Sequence, residues 1–221
     1  MFITFEGVDG CGKTTQVRLT ADYLRQCGYA VLLTREPGGT PIGDQIRRVL
    51  LDKMENTQMN ARTELLLFCA SRAQLVAEII TPHLQSGGIV IADRYMDSTY
   101  AYQGYGHGLP LEALRSIINF ATGGLLPDLT LLLEITPEAA LKRRTDGTLF
   151  GETWNRLDDM EMAFHRRVHK GYRELLLREP ARFAEINAAE APEVVQTAIR
   201  QVLAERLNLS GAEKPKISSD L

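Results

Sequence analysis

The sequence has few cysteines and no strong excess of charge of either sign. Its three cysteines, Cys11, Cys27 and Cys69, lie far apart without a Cys-x-x-Cys spacing, which argues against a disulfide framework and against a zinc site. The formal net charge of -3 leaves no basic field for nucleic acid or for an anionic membrane, although small anions can still be bound locally. These absences favour a protein of a reducing compartment that has no nucleic acid partner.

Long apolar segments are also missing. The chain runs from Met1 directly into a short apolar stretch, without the basic region and apolar core of a secretory signal. It has no uninterrupted apolar run of about 18 residues, so we expect a cytoplasmic protein with no membrane partner. With 44% hydrophobic residues in 221, the chain can bury one ordinary core. We predict a single domain at 1–209, followed by a polar tail at 210–221 that is typical of disorder.

Short apolar runs alternate with longer helical patterns. Five runs have the length and composition of buried strands: 2–5, 30–34, 89–92, 129–135 and 183–186. Helical spacing occurs at 13–26, 42–51, 62–85, 111–121, 137–144, 158–178 and 192–207. Because strands that alternate with crossover helices form parallel sheets, we predict a three-layer α/β/α fold around a five-stranded parallel sheet.

A phosphate-binding loop (P-loop) connects the first strand to the first helix. Residues 7–14, Gly-Val-Asp-Gly-Cys-Gly-Lys-Thr, have the G-x-x-x-x-G-K-[ST] spacing in its proper strand-to-helix setting. Glycines let backbone N–H groups converge on phosphate oxygens, and the lysine adds a charge. A glycine-rich turn without a ligand is the alternative, which the Lys-Thr pair disfavours. The predicted ATP contacts here are Gly7, Asp9, Gly10, Cys11, Gly12, Lys13, Thr14 and Thr15.

Other residues indicate which of the reactions of P-loop proteins this chain could perform. The sequence has no Asn-Lys-x-Asp guanine-binding motif, and its one Asp-x-x-Gly match lies inside the P-loop, so a GTP switch is disfavoured. Asp93 follows an apolar strand, where a parallel sheet would bring it beside the P-loop, and we predict that Thr14 and Asp93 hold Mg²⁺. Arg94 comes next and would point into the cleft, where it could grip a phosphate. A strand-end salt bridge is the alternative for this pair.

Five motifs occur in a defined order along the chain. They are Phe5-Glu6-Gly7, Arg-Glu-Pro-Gly-Gly-Thr at 35–40, Leu-Phe-Cys-Ala-Ser-Arg at 67–72, Asp93-Arg94-Tyr95 with Ser98, and Ala-Tyr-Gln-Gly at 101–104. With these motifs the sequence resembles the thymidylate kinases, a P-loop nucleoside monophosphate kinase family, over most of its length. The resemblance implies ATP as phosphoryl donor, Mg²⁺ as cofactor, dTMP as acceptor and a homodimer.

The resemblance also implies an acceptor site. Phe68 would stack on the thymine ring and Arg72 would donate a hydrogen bond to it, and their spacing of four lets both reach one face of a helix. The remaining implied dTMP contacts are Asp9 at the 3'-hydroxyl, Tyr102 at the 2' position, Ser98 and Gln103 in the base pocket, Arg35 and Arg94 at the phosphate with Arg47 as a further cation, and Pro37 after a cis peptide bond. On the donor side, Asn187 and Ala188 would belong to a loop that cups adenine.

A mobile lid at about 143–157 completes the implied site. Its tip, 146–154, has no basic residue, whereas Arg143, Arg144 and Arg156 flank it. Gly10 stands where one type of family member carries a basic residue, so the resemblance implies that the transferring group takes its cations from the lid. The predicted catalytic residues are Lys13, Arg94 and the lid arginines, with Arg156 ahead of Arg144 and Arg143. A solvated charged surface is the alternative for each lid arginine.

Two other functions compete with a dTMP kinase. One is a kinase of another nucleoside monophosphate or of a deoxynucleoside, which Phe68 and Arg72 disfavour. The other is a non-catalytic nucleotide-binding module, which Arg35, Arg94 and the lid arginines disfavour.

Overall fold

The sheet at the centre of the molecule is parallel throughout. The structure, a computed structural model, describes residues 1–52, 58–145, 156–158 and 160–207. Within them, five strands lie in the order β2-β3-β1-β4-β5. They are β1 Phe2–Glu6, β2 Val31–Arg35, β3 Ile89–Asp93, β4 Leu129–Glu134 and β5 Phe183–Asn187. Each strand matches a predicted run to within one residue at either end, so the predicted α/β fold is confirmed.

Helices fill the segments between the strands. The described α-helices are α1 Lys13–Gln26, α2 Pro41–Leu51, α3 Ala61–Leu75, α4 Thr81–Gln85, α5 Met96–Thr99, α6 Leu111–Thr122, α7 Pro137–Thr145, α8 Met162–Arg178 and α9 Pro192–Arg206. A π-helical segment, Val76–Ile80, joins α3 to α4. The predicted helix at 62–85 is therefore one continuous helical stretch, α-helical at both ends and π-helical in between. A second π-helical segment, Tyr100–Gly106, continues α5. The sequence patterns did not predict α5 or this segment.

One predicted boundary is wrong. We expected a helix from 158, but α8 begins at Met162 and residues 156–158 form a turn. The reason is an ion pair: Arg144 Nη2 lies 2.5 Å from the Asp158 carboxylate, which keeps Asp158 on the α7 side. The segment 146–155 of the predicted lid and the whole predicted tail lie outside the described residues.

Alternate residues of β1 point into two separate cores. Ile3 and Phe5 pack with α1, α8 and α9 on one face, and Phe2 packs with α3 and α6 on the other. All five residues of β1 are buried, as expected for a strand in the middle of a parallel sheet. The helices therefore form layers on both faces of the sheet.

The helical stretch Ala61–Gln85 is long and apolar enough, by length and composition, to span a membrane, although no uninterrupted apolar run was found in the sequence. This is weak evidence for a span, because a core helix of a soluble protein passes the same test. Its inner side does pack in the core, where Leu65 and Leu75 are 3% and 0% exposed.

The sheet register brings three chemically important chain segments to one edge. Phe5, just before the P-loop, is paired with Asp93, and Asp93 is paired with Arg35 on its other side. Ligands of open α/β sheets bind at the carboxyl ends of the strands. This edge therefore holds the candidate site.

A buried ion pair fixes the segment that follows β3. Arg182 donates to both oxygens of Asp97 at 2.7 and 3.0 Å, and the Asp97 side chain is 0% exposed. Removing one member of such a pair leaves a buried charge uncompensated, which costs about 3–5 kcal/mol.

We therefore expect Asp97→Ala to lower the free energy of unfolding by about 3–5 kcal/mol in chemical denaturation. The matched control is Asp22→Ala, which breaks a pair with Arg25 whose side chains are 64% and 47% exposed and should cost about 1 kcal/mol or less. Equal losses for the two variants would contradict a special role for the buried pair.

Candidate functional site

The P-loop wraps tightly before α1. Gly12 caps this helix in the left-handed region with φ 93°, and Gly10 has φ 86°. A Cβ atom at Gly10 would lie 2.3 Å from the carbonyl oxygen of Ala140, so no larger residue fits there without moving α7. The Lys13 ammonium donates to the carbonyls of Gly7 and Val8, each at 3.0 Å. The loop thus has the compact shape that surrounds phosphates.

Thr14 and Asp93 meet beside this loop. The Thr14 hydroxyl donates to a carboxylate oxygen of Asp93 at 3.2 Å. Hydroxyl and carboxylate oxygens suit Mg²⁺, which usually keeps water and takes its other ligands from substrate phosphates. Within the described residues no cluster of three or more His, Cys, Asp or Glu side chains could hold a metal by itself. The pair therefore fits an ion that binds together with a nucleotide.

Arg94 joins the P-loop to the end of β3. Its φ of 72° is in the left-handed region, an uncommon and strained conformation for a residue other than glycine that is often found at functional sites. The turn directs its guanidinium to Asp9 Oδ1 at 2.6 Å and to the Gly7 carbonyl at 3.0 Å. Further hydrogen bonds go to Ser98, Tyr102 and Tyr172. The prediction that Arg94 points into the cleft agrees with this geometry.

Two carboxyl groups near Arg94 differ in their pKa values. Burial alone would raise the pKa of Asp9, but the charges of Arg94, Lys13 and Arg144 and a hydrogen bond from Tyr102 hold it well below its usual range. Burial and the charge of Asp97 raise the pKa of Glu6 to about 7, even though Arg94 opposes the shift. Asp9 is therefore a fixed negative charge, and Glu6 titrates near neutral pH.

Arg72 lies deep on the opposite side of this cleft. Its side chain is 1% exposed and forms an ion pair with Glu36, with the closest contact at 2.6 Å. Nη2 also donates to the Tyr95 carbonyl and the Thr99 hydroxyl at 3.1 and 3.0 Å. Nη1 is buried and has no hydrogen-bond partner among the described residues. A buried donor without a partner is costly, so this atom is suited to donate to a ligand.

Phe68 lies between two residues of α3 whose side chains form hydrogen bonds to the helical segment after β3. Arg72 contacts Thr99, and Glu64 accepts from Gln103 Nε2 at 2.7 Å. Glu64, Phe68 and Arg72 are spaced by four, so they share one face of α3. Phe68 is only partly buried. The arrangement can therefore hold a flat ring against Phe68.

The other predicted acceptor residues are found at the same edge of the sheet. Arg35 is exposed at the end of β2, and a cis peptide bond precedes Pro37 as predicted. Arg47 donates to the Pro37 carbonyl at 2.9 Å. The Ser98 hydroxyl donates to Glu6 at 2.6 Å, so Ser98 belongs to the network around Arg94. Tyr102 donates to Asp9 at 2.6 Å.

A cavity of about 380 Å³ opens on the far side of the P-loop. It is lined by the P-loop residues Gly10, Cys11 and Gly12, by Thr15 and Gln16, by Arg143 and by residues 188–192 and 195. Arg143 donates to the carbonyls of Ala188 and Ala189 at 2.6 and 2.7 Å. Asn187 accepts from the Ala189 N–H at 3.0 Å and so shapes this loop. The predicted adenine loop therefore lies beside the P-loop, at a cavity of suitable size for a nucleoside.

The three lid arginines have different partners. Arg143 holds the loop after β5, whereas Arg144 pairs with Asp158 and its charge acts on Asp9. Arg156 is 8% exposed and is bound to Glu64. Arg143 and Arg144 thus lie on the P-loop side of the site in this structure, whereas Arg156 is bound to α3.

Sequence reasoning missed four residues of the site. Glu6, Glu36, Glu64 and Tyr172 are all buried, and each holds a side chain that was predicted to function. Glu6 and Glu36 stand inside motifs that were recognised, which was a usable signal. Glu64 and Tyr172 occur in helices whose apolar spacing gave no sign of a polar role.

Fold and site together define a P-loop phosphotransferase with a cavity beside the loop. A family model described as thymidylate kinase matches residues 5–199. Curated thymidylate kinases from Roseiflexus castenholzii and Herpetosiphon aurantiacus are 49% and 50% identical to the chain. The alignments cover 92% of both proteins in the first comparison, and 85% of this chain and 88% of the relative in the second.

A solved structure of a thymidylate kinase is also similar to this chain. The thymidylate kinase of Ehrlichia chaffeensis matches with a TM-score of 0.75 and 32% identity, over 92% of this chain and 98% of that one. The chain belongs to the thymidylate kinase family.

The tight contact at Gly10 leads to a test. We expect Gly10→Ala to weaken ATP binding at least tenfold in calorimetry, because the left-handed conformation costs an L-residue about 1–2 kcal/mol and the new Cβ would also displace Ala140. Gly28→Ala is the control, since Gly28 has φ 91° and no atom within 4 Å of a Cβ. It should lower stability without changing ATP affinity. A similar loss of ATP affinity in both variants would show that the contact with Ala140 is not the cause.

Proposed function

We propose that this protein is a thymidylate kinase that transfers the γ-phosphoryl group of ATP to dTMP, with Mg²⁺, giving ADP and dTDP for dTTP synthesis. The observation that carries the proposal is the buried Nη1 of Arg72, which lacks a partner among the described residues and lies one helical turn from the half-buried ring of Phe68. This donor and this ring suit a pyrimidine that carries an oxygen. A non-catalytic module would have no need for such a pocket.

The reaction requires little chemistry from the protein. The acceptor phosphate has its second pKa at about 6, so it is already an ionised nucleophile at neutral pH and needs no general base. Catalysis must instead align two anionic groups and offset their charge. Lys13 and Arg94 offer positive charge at the P-loop, where both donate to the Gly7 carbonyl, and Asp9 keeps Arg94 oriented towards the loop.

Thr14 and Asp93 are the residues that would hold Mg²⁺, which would supply positive charge next to the donor phosphates. The Thr14 hydroxyl and the Asp93 carboxylate are oriented for this role by their mutual hydrogen bond. On the acceptor side, the proposal assigns the phosphate to Arg35 and Arg94, the sugar to Asp9 and Tyr102, and the base to Phe68, Arg72 and Gln103.

A homodimer and a cytoplasmic location are part of the proposal. Leu66 on α3 and Phe120 on α6 are 57% and 91% exposed, and α3 and α6 pack against each other. Exposed apolar side chains on adjacent helices are typical of an interface between subunits. Of the two, Leu66 belongs to the apolar 61–85 stretch, so an interface between subunits could cover it without a membrane.

The direct test is an ADP-release assay with Mg·ATP and a panel of dTMP, dUMP, UMP, CMP, AMP, GMP and thymidine. We expect a clear preference for dTMP. A preference for another acceptor would retain the kinase but reject the pyrimidine pocket. ATP binding without turnover of any acceptor would favour the nucleotide-binding module.

The different partners of the lid arginines lead to a second test. We expect Arg144→Ala to lower kcat on the order of a hundredfold, because the charge of Arg144 reaches the P-loop where the phosphoryl group would be transferred. Arg156→Ala should mainly raise the KM for dTMP, because Arg156 is bound to Glu64 on the acceptor side. The reverse result in steady-state kinetics would restore the catalytic role that the sequence first assigned to Arg156.

A further inference from the structure

Glu64 is a buried carboxylate that the proposed reaction does not use. It lies in the first turn of α3 and is 0% exposed. Three side chains donate to it: Gln103 at 2.7 Å, His107 at 3.1 Å, and Arg156. Burial would raise the pKa of Glu64, but the hydrogen bonds from His107 and Arg156 outweigh it and hold the pKa below its ordinary value. Glu64 is therefore ionised at neutral pH and can only accept hydrogen bonds.

This charge determines which way the Gln103 amide faces. The side-chain amide of glutamine has one accepting and one donating end. Because an ionised carboxylate cannot donate, only the NH₂ end of Gln103 can face Glu64. The carbonyl oxygen Oε1 is then the amide atom left for other partners, and it makes no hydrogen bond within the described residues.

Gln103 and Arg72 together present an ordered pair of hydrogen-bonding atoms. Both residues contact the facing helix, Gln103 through Glu64 and Arg72 through Thr99, and Phe68 lies between these contacts. The pair offers an acceptor, Oε1 of Gln103, and a donor, Nη1 of Arg72. Thymine and uracil carry an N3–H donor and an O4 acceptor, which match this order. Cytosine carries an N3 acceptor and an N4 amino donor, which reverse it.

We infer that Glu64 is a positioning residue that locks the orientation of the Gln103 amide and thereby makes the base pocket select oxo-pyrimidines over amino-pyrimidines. The inference rests on the proposed function, since it assigns a source of specificity to that acceptor site. Glu64 itself need not touch the acceptor. It acts by removing one of the two orientations that the Gln103 amide could otherwise adopt.

Glu64→Gln is the informative substitution, because it keeps the shape of the side chain but can donate as well as accept. We expect the ratio of kcat/KM for dTMP to that for dCMP to fall at least tenfold in this variant, through a higher KM for dTMP and new activity with dCMP. The ratio for dTMP to dUMP should not change, because these acceptors differ only in the C5 methyl group and carry the same N3–H donor and O4 acceptor.

Two further variants separate positioning from loss of structure. His107→Ala removes another donor to the same carboxylate but leaves the contact between Glu64 and Gln103, so it should keep the dTMP to dCMP ratio within about threefold. In a Gln103→Leu background, Glu64→Gln should have no further effect on this ratio, because the amide through which Glu64 acts is gone. Binding of dTMP and dCMP measured by calorimetry supplies a readout that does not depend on turnover.

The outcomes are distinct. A wild type that prefers dTMP, together with a folded Glu64→Gln variant of unchanged preference, would overturn the inference and leave the proposed function intact. Additive effects of the Glu64 and Gln103 substitutions would also overturn it. A wild type that neither binds nor phosphorylates dTMP would overturn both. If Glu64→Gln does not fold, the comparison of dTMP and dCMP binding is made in Glu64→Gln combined with Arg156→Gln, which restores the balance of buried charge, and the same fall in ratio is expected.

Discussion

The ion pair between Arg94 and Asp9 is the interaction on which the rest of the site depends. It joins the P-loop to the end of β3, so the segments that follow the neighbouring strands β1 and β3 share one charged contact at 2.6 Å. Arg94 reaches this position only through a left-handed backbone conformation, and the hydrogen bonds from its guanidinium to surrounding oxygens offset the strain. Tyr102 and Ser98 are in turn oriented by the same guanidinium. Loss of this contact would disturb the donor side and the acceptor side together.

Acidic side chains that are buried or partly buried recur in this site. Glu36 holds Arg72, Asp9 holds Arg94, Glu6 accepts from Ser98 and Tyr172, and Glu64 accepts from Gln103 and Arg156. Each carboxylate fixes the orientation of its partner side chains, and so lowers the entropy that a substrate must remove on binding. The many positive charges needed for phosphate chemistry are thus accommodated in a chain whose net charge is slightly negative.

The sequence predicted the sheet and the P-loop well because both are local patterns. Five apolar runs are enough to place the strands, and contiguous residues 7–14 are enough to place the loop. The contacts of Arg72 could not be predicted in this way, because Glu36 is 36 residues earlier and meets it only after α2 and α3 pack together. Arg156 shows the same limit: its position after the lid tip indicated a catalytic role, but its buried partner, Glu64, is 92 residues away. The helix at 96–106 was missed because its π-helical part does not follow the 3.6-residue spacing.

The salt bridge between Arg144 and Asp158 closes a loop in the chain, because it joins residues 14 positions apart. Closing a loop has an entropy cost that grows with the logarithm of the number of residues enclosed. The side chains that close it are only 6% and 1% exposed, so this cost is part of the cost of folding the domain. The end of α7 and the turn at 156–158 are therefore held together by the folded chain itself, and a substrate does not have to supply that entropy.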